Sequence, residues 1–261
     1  MKIKLDKKRL SIYLILRAMV IITMIAQILN GNYSNVFICI LTLILFMVPS
    51  LIEKKLNIEL PNTLEVIILL FIFAAEILGE IQEYYVLFDH WDDMLHTING
   101  FLCAAIGFSL VDILNRSERI HMDLSPLFVA LVAFSFSMTV GVLWEFYEFT
   151  MDAFFGMDMQ KDTWLTSFNS VSVNPNGANV PIRVQVENIS VNGEAWPAYL
   201  DIGLIDTMND LWVNFLGAIT FSAIGLIYIK NRGGKFAERF MPKMKVADDS
   251  AKERMLKNKD K

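Results

Sequence analysis

Cysteine and histidine are scarce in this 261-residue chain, and each scarcity removes a chemistry. The two cysteines, Cys39 and Cys103, both lie inside apolar runs, so neither a disulfide framework nor a paired-cysteine metal site fits their spacing. They read as small buried hydrophobes. With only three histidines, and His121 on the cytoplasmic side in the topology below, a three-histidine zinc site is not available. Basic residues are missing over long stretches: between Arg119 and Lys230 the chain carries only Lys161 and Arg183. No nucleic-acid partner is expected. The basic, apolar first 30 residues resemble a signal peptide, but Arg17 interrupts the run and no small-x-small cleavage pattern follows, so an uncleaved first span is expected.

What the chain has in excess is apolar surface. It is 54% hydrophobic and 12% aromatic, with a mean hydropathy of +0.44, well above a soluble domain of this size. A bilayer core takes roughly 20 apolar residues in helical form, because lipid offers an open backbone no hydrogen bonds. Six stretches qualify: 11–29, 35–52, 63–79, 94–114, 126–149 and 207–229. The expected fold class is an all-α polytopic membrane protein of about six transmembrane helices, in which 1–150 and 207–229 form the helical domain. Ser125 before Pro126 is helix-start chemistry, and Thr63 after Pro61 is positioned to cap the third span.

Basic residues in short flanking segments set orientation. Lys2, Lys4, Lys7, Lys8 and Arg9 precede the first span, Lys54 and Lys55 follow the second, and Arg116 and Arg119 follow the fourth. Eleven more lie from Lys230 to Lys261. With six spans all of these fall on one side, which places both termini in the cytoplasm of a bacterial plasma membrane, with the 230–261 tail basic and solvated. Tyr84, Tyr85, Trp91, Trp144, Tyr147 and Trp212 fall at the opposite ends, as an interfacial belt would. The segment 151–206 is the sizeable external piece. Ser170–Val173, Val180–Val186 and Ile189–Val191 favour strand, and Asn174-Pro-Asn-Gly177 and Asn192-Gly193 are turn signals, so a small β-hairpin or meander is expected there.

Acids inside or beside apolar helices are costly and usually face a polar interior, so their positions carry the functional reading. Glu76, Glu80 and Glu83 share a face at the end of the third span. Asp89, His90, Asp92, Asp93 and His96 lead into the fourth. Glu145, Glu148 and Asp152 end the fifth, and Asp206, Asp210 and Asn214 begin the sixth. The topology brings all four groups to one depth at the outer leaflet. Close carboxylates raise one another's pKa unless a counter-charge is present, and the outer half supplies almost no Lys or Arg. A bound cation, protonated acids, or acids pointing apart into water all answer that problem. The ligand types suit Mg, Mn or Ca, and a histidine leaves Zn open. Asp92, Asp93, His96, Glu148, Asp206 and Asp210 are the metal-ligand candidates, and His96, Glu145, Glu148 and Asp210 the catalytic ones. Asp93-x-x-His96 is half of a di-iron bundle motif whose second Glu-x-x-His is missing. Arg17 is expected to snorkel, and Gly100, Gly107, Gly141 and Gly217 to mark close helix packing.

Trp91-Asp-Asp-Met-Leu-His96 with Gly100, Trp144-Glu-Phe-Tyr-Glu-Phe149 with Asp152, and Asp206-Thr-x-x-Asp210 with Asn214 and Gly217-Ala218 together resemble the YjdF-like family of bacterial integral membrane proteins. More distantly, the order of Asp92 to His96, Glu145 to Glu148, and Asp210 through Asn214 to Gly217 is similar to VanZ-like proteins. That likeness implies a cell-envelope role linked to glycopeptide resistance. This chain differs from the VanZ-like pattern in Glu148, where that pattern has Gln, and in its long insert before Asp206.

The leading expectation is an outer-leaflet carboxylate and histidine site, open to a divalent metal, acting on a lipid or lipid-linked envelope precursor among membrane lipids. A cation or proton transporter is the alternative, and a non-enzymatic envelope scaffold the third reading.

Overall fold

The computed structural model describes residues 7–56, 58–115, 123–177, 179–231 and 239–244. Lys2, Lys4, Arg116, Arg119, His121 and most of the basic tail lie outside the described residues.

Helix α1 spans Lys7–Leu29 and α2 spans Tyr33–Leu45, the latter capped by the Asn32 side chain, which accepts from the Asn35 N–H at 3.2 Å. The expected second span is interrupted at Phe46–Met47 before α3, Val48–Leu56. Pro49 explains the break, since proline lacks an N–H and its ring collides with the carbonyl four residues earlier in a continuous helix. Strand β1 (Ile58–Glu59) leads to α4 (Asn62–Phe73), which passes directly into a π-helix over Ala74–Ile81. Pro61 occupies the cap position there without a side-chain bond, so Thr63 is not the cap. After the short α5 (Tyr84–Leu87) come α6 (Trp91–Asn115) and α7 (Pro126–Phe155), and Ser125 does cap α7, accepting from Phe128 N–H at 3.3 Å. Six short strands follow, then α8 (Leu204–Lys230) and β8 (Lys243–Met244).

Among the described residues, five helical segments are long and apolar enough to cross a membrane: Arg9–Leu29, Tyr33–Lys55, Trp91–Asn115, Pro126–Phe155 and Leu204–Lys230. The remaining expected span is the run from Asn62 to Ile81, divided between α and π geometry. Helices α6, α7 and α8 each reach further at their acid-bearing ends than hydropathy suggests. At α8 the cause is local: the Asp201 carboxylate accepts the Ile205 N–H at 2.7 Å, so the helix starts on a polar cap rather than at the first apolar residue.

The chain divides into two compact units, Met1–Thr139 with Val213–Lys261, and Val140–Trp212. In the first unit Ala104, Ala105, Phe108, Val129, Ala133, Ala218 and Phe221 form an apolar core that also takes in Phe240 and Met241. The Phe240 ring stands edge-on to Phe101 at 5.1 Å, and Lys243–Met244 pairs antiparallel with Ile58–Glu59. The expectation of a solvated tail is therefore corrected for these residues: two apolar side chains and a strand edge hold them to the bundle. Ser137 Oγ donates to the Gly100 carbonyl at 2.7 Å, tying α7 to α6. The Arg17 guanidinium lies over the Tyr13 ring, 5.0 Å from its centre.

Arg9 makes a 2.8 Å ion pair with the buried Glu65 carboxylate. Arg9→Met strands that carboxylate and should destabilise the protein by about 3–5 kcal/mol, whereas the double variant Arg9→Met/Glu65→Met should recover most of the loss. Thermal melting in detergent checks this; equal melting for the single and double variants would show the pair to be idle.

The second unit holds three antiparallel strand pairs. β2 (Thr163–Leu165) pairs with β7 (Tyr199–Asp201), β3 (Ser167–Ser170) with β4 (Ile182–Gln185), and β5 (Ile189–Val191) with β6 (Glu194–Trp196). The β5–β6 turn is Asn192-Gly193, both at positive φ (53° and 88°), the two-residue hairpin turn the sequence signals. Of the expected strand Ser170–Val173 only Ser170 is in one, as the last residue of β3, which starts three residues earlier. Val171–Val173 instead runs into a turn in which the Asn174 side chain accepts from Asn176 N–H at 2.9 Å.

Candidate metal centre

Helical phase places the site residues. On α7, Glu145 and Glu148 are three apart and both buried, while Trp144, Phe146, Tyr147 and Phe149 on the same turns are exposed. The helix thus turns its carboxylates inward and its aromatic rings outward. On α8, Asp210 is 1% exposed. Within the second unit Glu145, Glu148 and Asp210 each offer a carboxylate oxygen within 4.8 Å of the others, as do Asp206 and Asp210. Three acids that close in a buried place repel one another and lose hydration unless a cation compensates. The unit carries ten Asp and Glu against two Lys and Arg. Both of those cations are engaged elsewhere: Lys161 Nζ donates to the Asp158 carbonyl and Arg183 to Ser167 Oγ.

Glu148 is held from the outside. The Trp144 indole N–H, one turn before it, donates to Glu148 Oε1 at 2.8 Å. Asp152 and Asp206, by contrast, serve the chain that follows α7. Asp152 accepts the N–H groups of Met159 (2.6 Å) and Gln160 (2.8 Å), and Asp206 accepts the Lys161 N–H (2.8 Å). The Gln160 amide donates to Thr207 Oγ1. Residues 156–161 therefore form a strap fastened to both helices. Asp162, just beyond it, has its carboxyl raised above the usual aspartate range by desolvation and by the charges of Asp158, Asp201 and Asp152.

In the first unit His96 is buried on α6, with Asp92 Oδ1 3.6 Å from its Nε2. Asp93 takes a different direction: its carboxylate meets the exposed His90 ring at 2.8 Å, so it is not grouped with the buried acids. Glu76 is half-buried and Glu80 exposed in the π-helix, and Glu83 adopts a left-handed conformation (φ 59°) that ends the run, so these three do not continue as one helical face. Asn214 is fully buried. Its amide donates to Met138 Sδ at 3.6 Å, and its Oδ1 has no hydrogen-bond partner among the described residues.

Helix lengths set a scale. His96 stands 19 residues from Asn115, Glu145 and Glu148 stand 19 and 22 from Pro126, and Asp210 stands 20 from Lys230. At about 1.5 Å per residue these are roughly 28–33 Å of helix, close to the ~30 Å thickness of a hydrocarbon core.

Two features escaped the sequence reading. The Trp144–Glu148 bond was legible in principle, as a four-residue spacing with the donor on the preceding turn, although Trp144 reads first as belt. The strap was not: Gln160 and the backbone of Met159 and Lys161 carry no motif.

The model of a family described as predicted membrane protein (DUF2238) matches residues 11–231, and the YjdF-like proteins are that family. An uncharacterized protein of Thermotoga maritima is 28% identical over 104 residues, which is 40% of this chain. The chain spans about half the length of that relative, 52%. No solved structure matches. The expected similarity to VanZ-like proteins is not shown by these matches. With apolar helices of membrane-spanning length and a family match over most of its residues, the chain belongs to the DUF2238 family of predicted membrane proteins.

Proposed function

We propose that this is a multi-pass protein of the bacterial plasma membrane, with both termini in the cytoplasm, that binds a divalent metal at the outer leaflet and acts on a lipid or lipid-linked envelope precursor. The observation that carries the reading is a buried set of acids: Glu145, Glu148 and Asp210 each offer one carboxylate oxygen, all within 4.8 Å of one another. Asn214, one turn along α8 from Asp210, adds a buried amide oxygen without a hydrogen bond, which is the kind of group a bound ion or its water satisfies. Three carboxylates and one imidazole suit Mn²⁺, Mg²⁺ or Zn²⁺ better than thiophilic metals. Bound there, such a metal would supply charge to polarise a phosphoryl or carbonyl oxygen and to acidify water. His96 binds the metal or moves a proton, and the carboxylates fix its geometry.

The transport reading fits less well. A conducting path continues to the inner side, and the inner core of the first unit is built from Ala104, Ala105, Phe108, Val129, Phe221 and Phe240. Elemental analysis of protein purified without chelator tests the main reading: about one divalent metal per chain is expected, and metal-free protein that takes up none on titration overturns it.

The scaffold reading is separable by deletion. Leu165 and Tyr199 are register partners in the β2–β7 pair, so joining them through Asn-Gly in place of residues 166–198 preserves that ladder. The shortened protein should keep its metal content and its phenotype. Loss of the phenotype with metal retained would favour the scaffold.

A further inference from the structure

The acids of the second unit are walled in unequally. Along the helix axes the strap closes over them, since four hydrogen bonds fasten Met159, Gln160 and Lys161 to Asp152, Thr207 and Asp206, one turn beyond Glu148 and Asp210. Gly203 makes room for it, because a Cβ there would stand 2.5 Å from Gln160 Cβ. On the side of α7 that carries Glu148, two exposed aromatic rings lie next to it in the helix, Trp144 and Tyr147. Trp144 is 44% exposed and packs at 5.3 Å from the exposed Tyr147 ring, yet its N–H reaches a carboxylate that is only 6% exposed. One indole therefore touches both the lipid side and the buried acid. Moving it costs one hydrogen bond, against four for the strap.

Resting on the metal reading above, we infer that the substrate is a membrane lipid with a phosphate head, that it enters sideways past Trp144 and Tyr147, and that Trp144 is the positioning residue that orients Glu148. Chemistry and placement agree on this. A carboxylate-held divalent cation takes hard anionic oxygen as its further ligand, and among bilayer constituents the headgroup phosphate supplies it at this depth. Tryptophan at the boundary is apolar on the face that meets acyl chains and keeps a donor for the polar side.

The test uses full-length protein loaded with Mn²⁺ and reads phosphorus hyperfine coupling to the metal by ³¹P ENDOR. Three samples separate the sources: protein in phosphatidylglycerol nanodiscs, protein in maltoside micelles, and micelles with glycerol 3-phosphate at matched phosphate concentration. Coupling in nanodiscs alone is the expected result. Bound Mn²⁺ without coupling in nanodiscs overturns the lipid proposal and leaves the metal site standing, and coupling from the soluble phosphoester at equal strength overturns the sideways route. Failure to bind Mn²⁺ in any sample overturns the metal reading itself and this proposal with it. Trp144→Phe keeps the ring and removes the N–H, so Mn²⁺ affinity should fall on the order of 10-fold, as for other partners that orient a metal ligand, with melting unchanged. Unchanged affinity would overturn the positioning role.

Discussion

Asp210→Asn should strip the purified protein of nearly all its divalent metal. The substitution keeps the size of the side chain and removes one negative charge from a residue that is 1% exposed, with one carboxylate oxygen within 4.8 Å of one from each of Glu145 and Glu148. If Asp210 is a direct ligand, as proposed, its loss should weaken binding by more than the ~10–100-fold typical of groups that only orient ligands. The neighbouring acids give internal controls. Asp93→Asn should leave metal content unchanged, since that carboxylate meets the exposed His90. Asp206→Asn should loosen the strap at Lys161 and lower affinity less than Asp210→Asn does. Inductively coupled plasma mass spectrometry on dialysed samples, with Mn²⁺ titration of each variant, checks the order. If Asp210→Asn and Asp93→Asn bind metal equally well, the buried acids are not its ligands. The triple variant of His96, Glu148 and Asp210 to alanine should bind none and lose any activity; full metal content and phenotype in that protein would end the hypothesis.

The helices were legible in the sequence because the solvent that selects them leaves a simple signature: about 20 apolar residues in a row. Their ends were less legible. Hydropathy stops where polar residues begin, but hydrogen bonding continues the helix past them, as the Asp201 carboxylate does at the start of α8. The interruption at Phe46–Met47 could have been read from Pro49, whereas the π-helix at Ala74–Ile81 has no comparable signal. Three- and four-residue spacing singled out Glu145, Glu148 and Asp210, and all three side chains are buried. The same spacing also singled out Asp93, Asp152 and Asp206, whose carboxylates meet His90, the backbone of Met159 and Gln160, and the backbone of Lys161. An acid at a helix end has local backbone N–H groups to bind, and residue type alone does not tell a ligand from a clasp. The strap itself is a tertiary arrangement of backbone donors, invisible to any pattern of side chains.

Gly100→Ala and Gly217→Ala should each sharply lower thermal stability, and together they should cost less than the sum of the two. A Cβ at Gly100 would stand 2.2 Å from the Asn214 carbonyl oxygen, and one at Gly217 would stand 2.1 Å from the Thr97 carbonyl oxygen and 2.8 Å from the Phe101 nitrogen. The obstacles are backbone atoms of the facing helix, which cannot rotate aside, so α6 and α8 must separate. Overpacking of this kind costs about 1–3 kcal/mol or more per site. Gly107 gives the contrast: its added Cβ would stand 2.9 Å from Phe136 Cβ, a closer approach than real Cβ atoms show but a milder one than at Gly100 or Gly217, so Gly107→Ala should cost less. Non-additivity follows from the geometry, because once the first methyl has parted the two helices the second finds room already made. Melting curves of detergent-purified variants by size-exclusion fluorescence would show the pattern, and fully additive losses would mean that the two contacts are independent. The crossing also bears on the proposed metal site. Asn214, whose carbonyl rests against Gly100, carries the buried Oδ1 one turn from Asp210, so Gly100→Ala should lower Mn²⁺ affinity where an equally destabilising change at the Arg9–Glu65 pair should not.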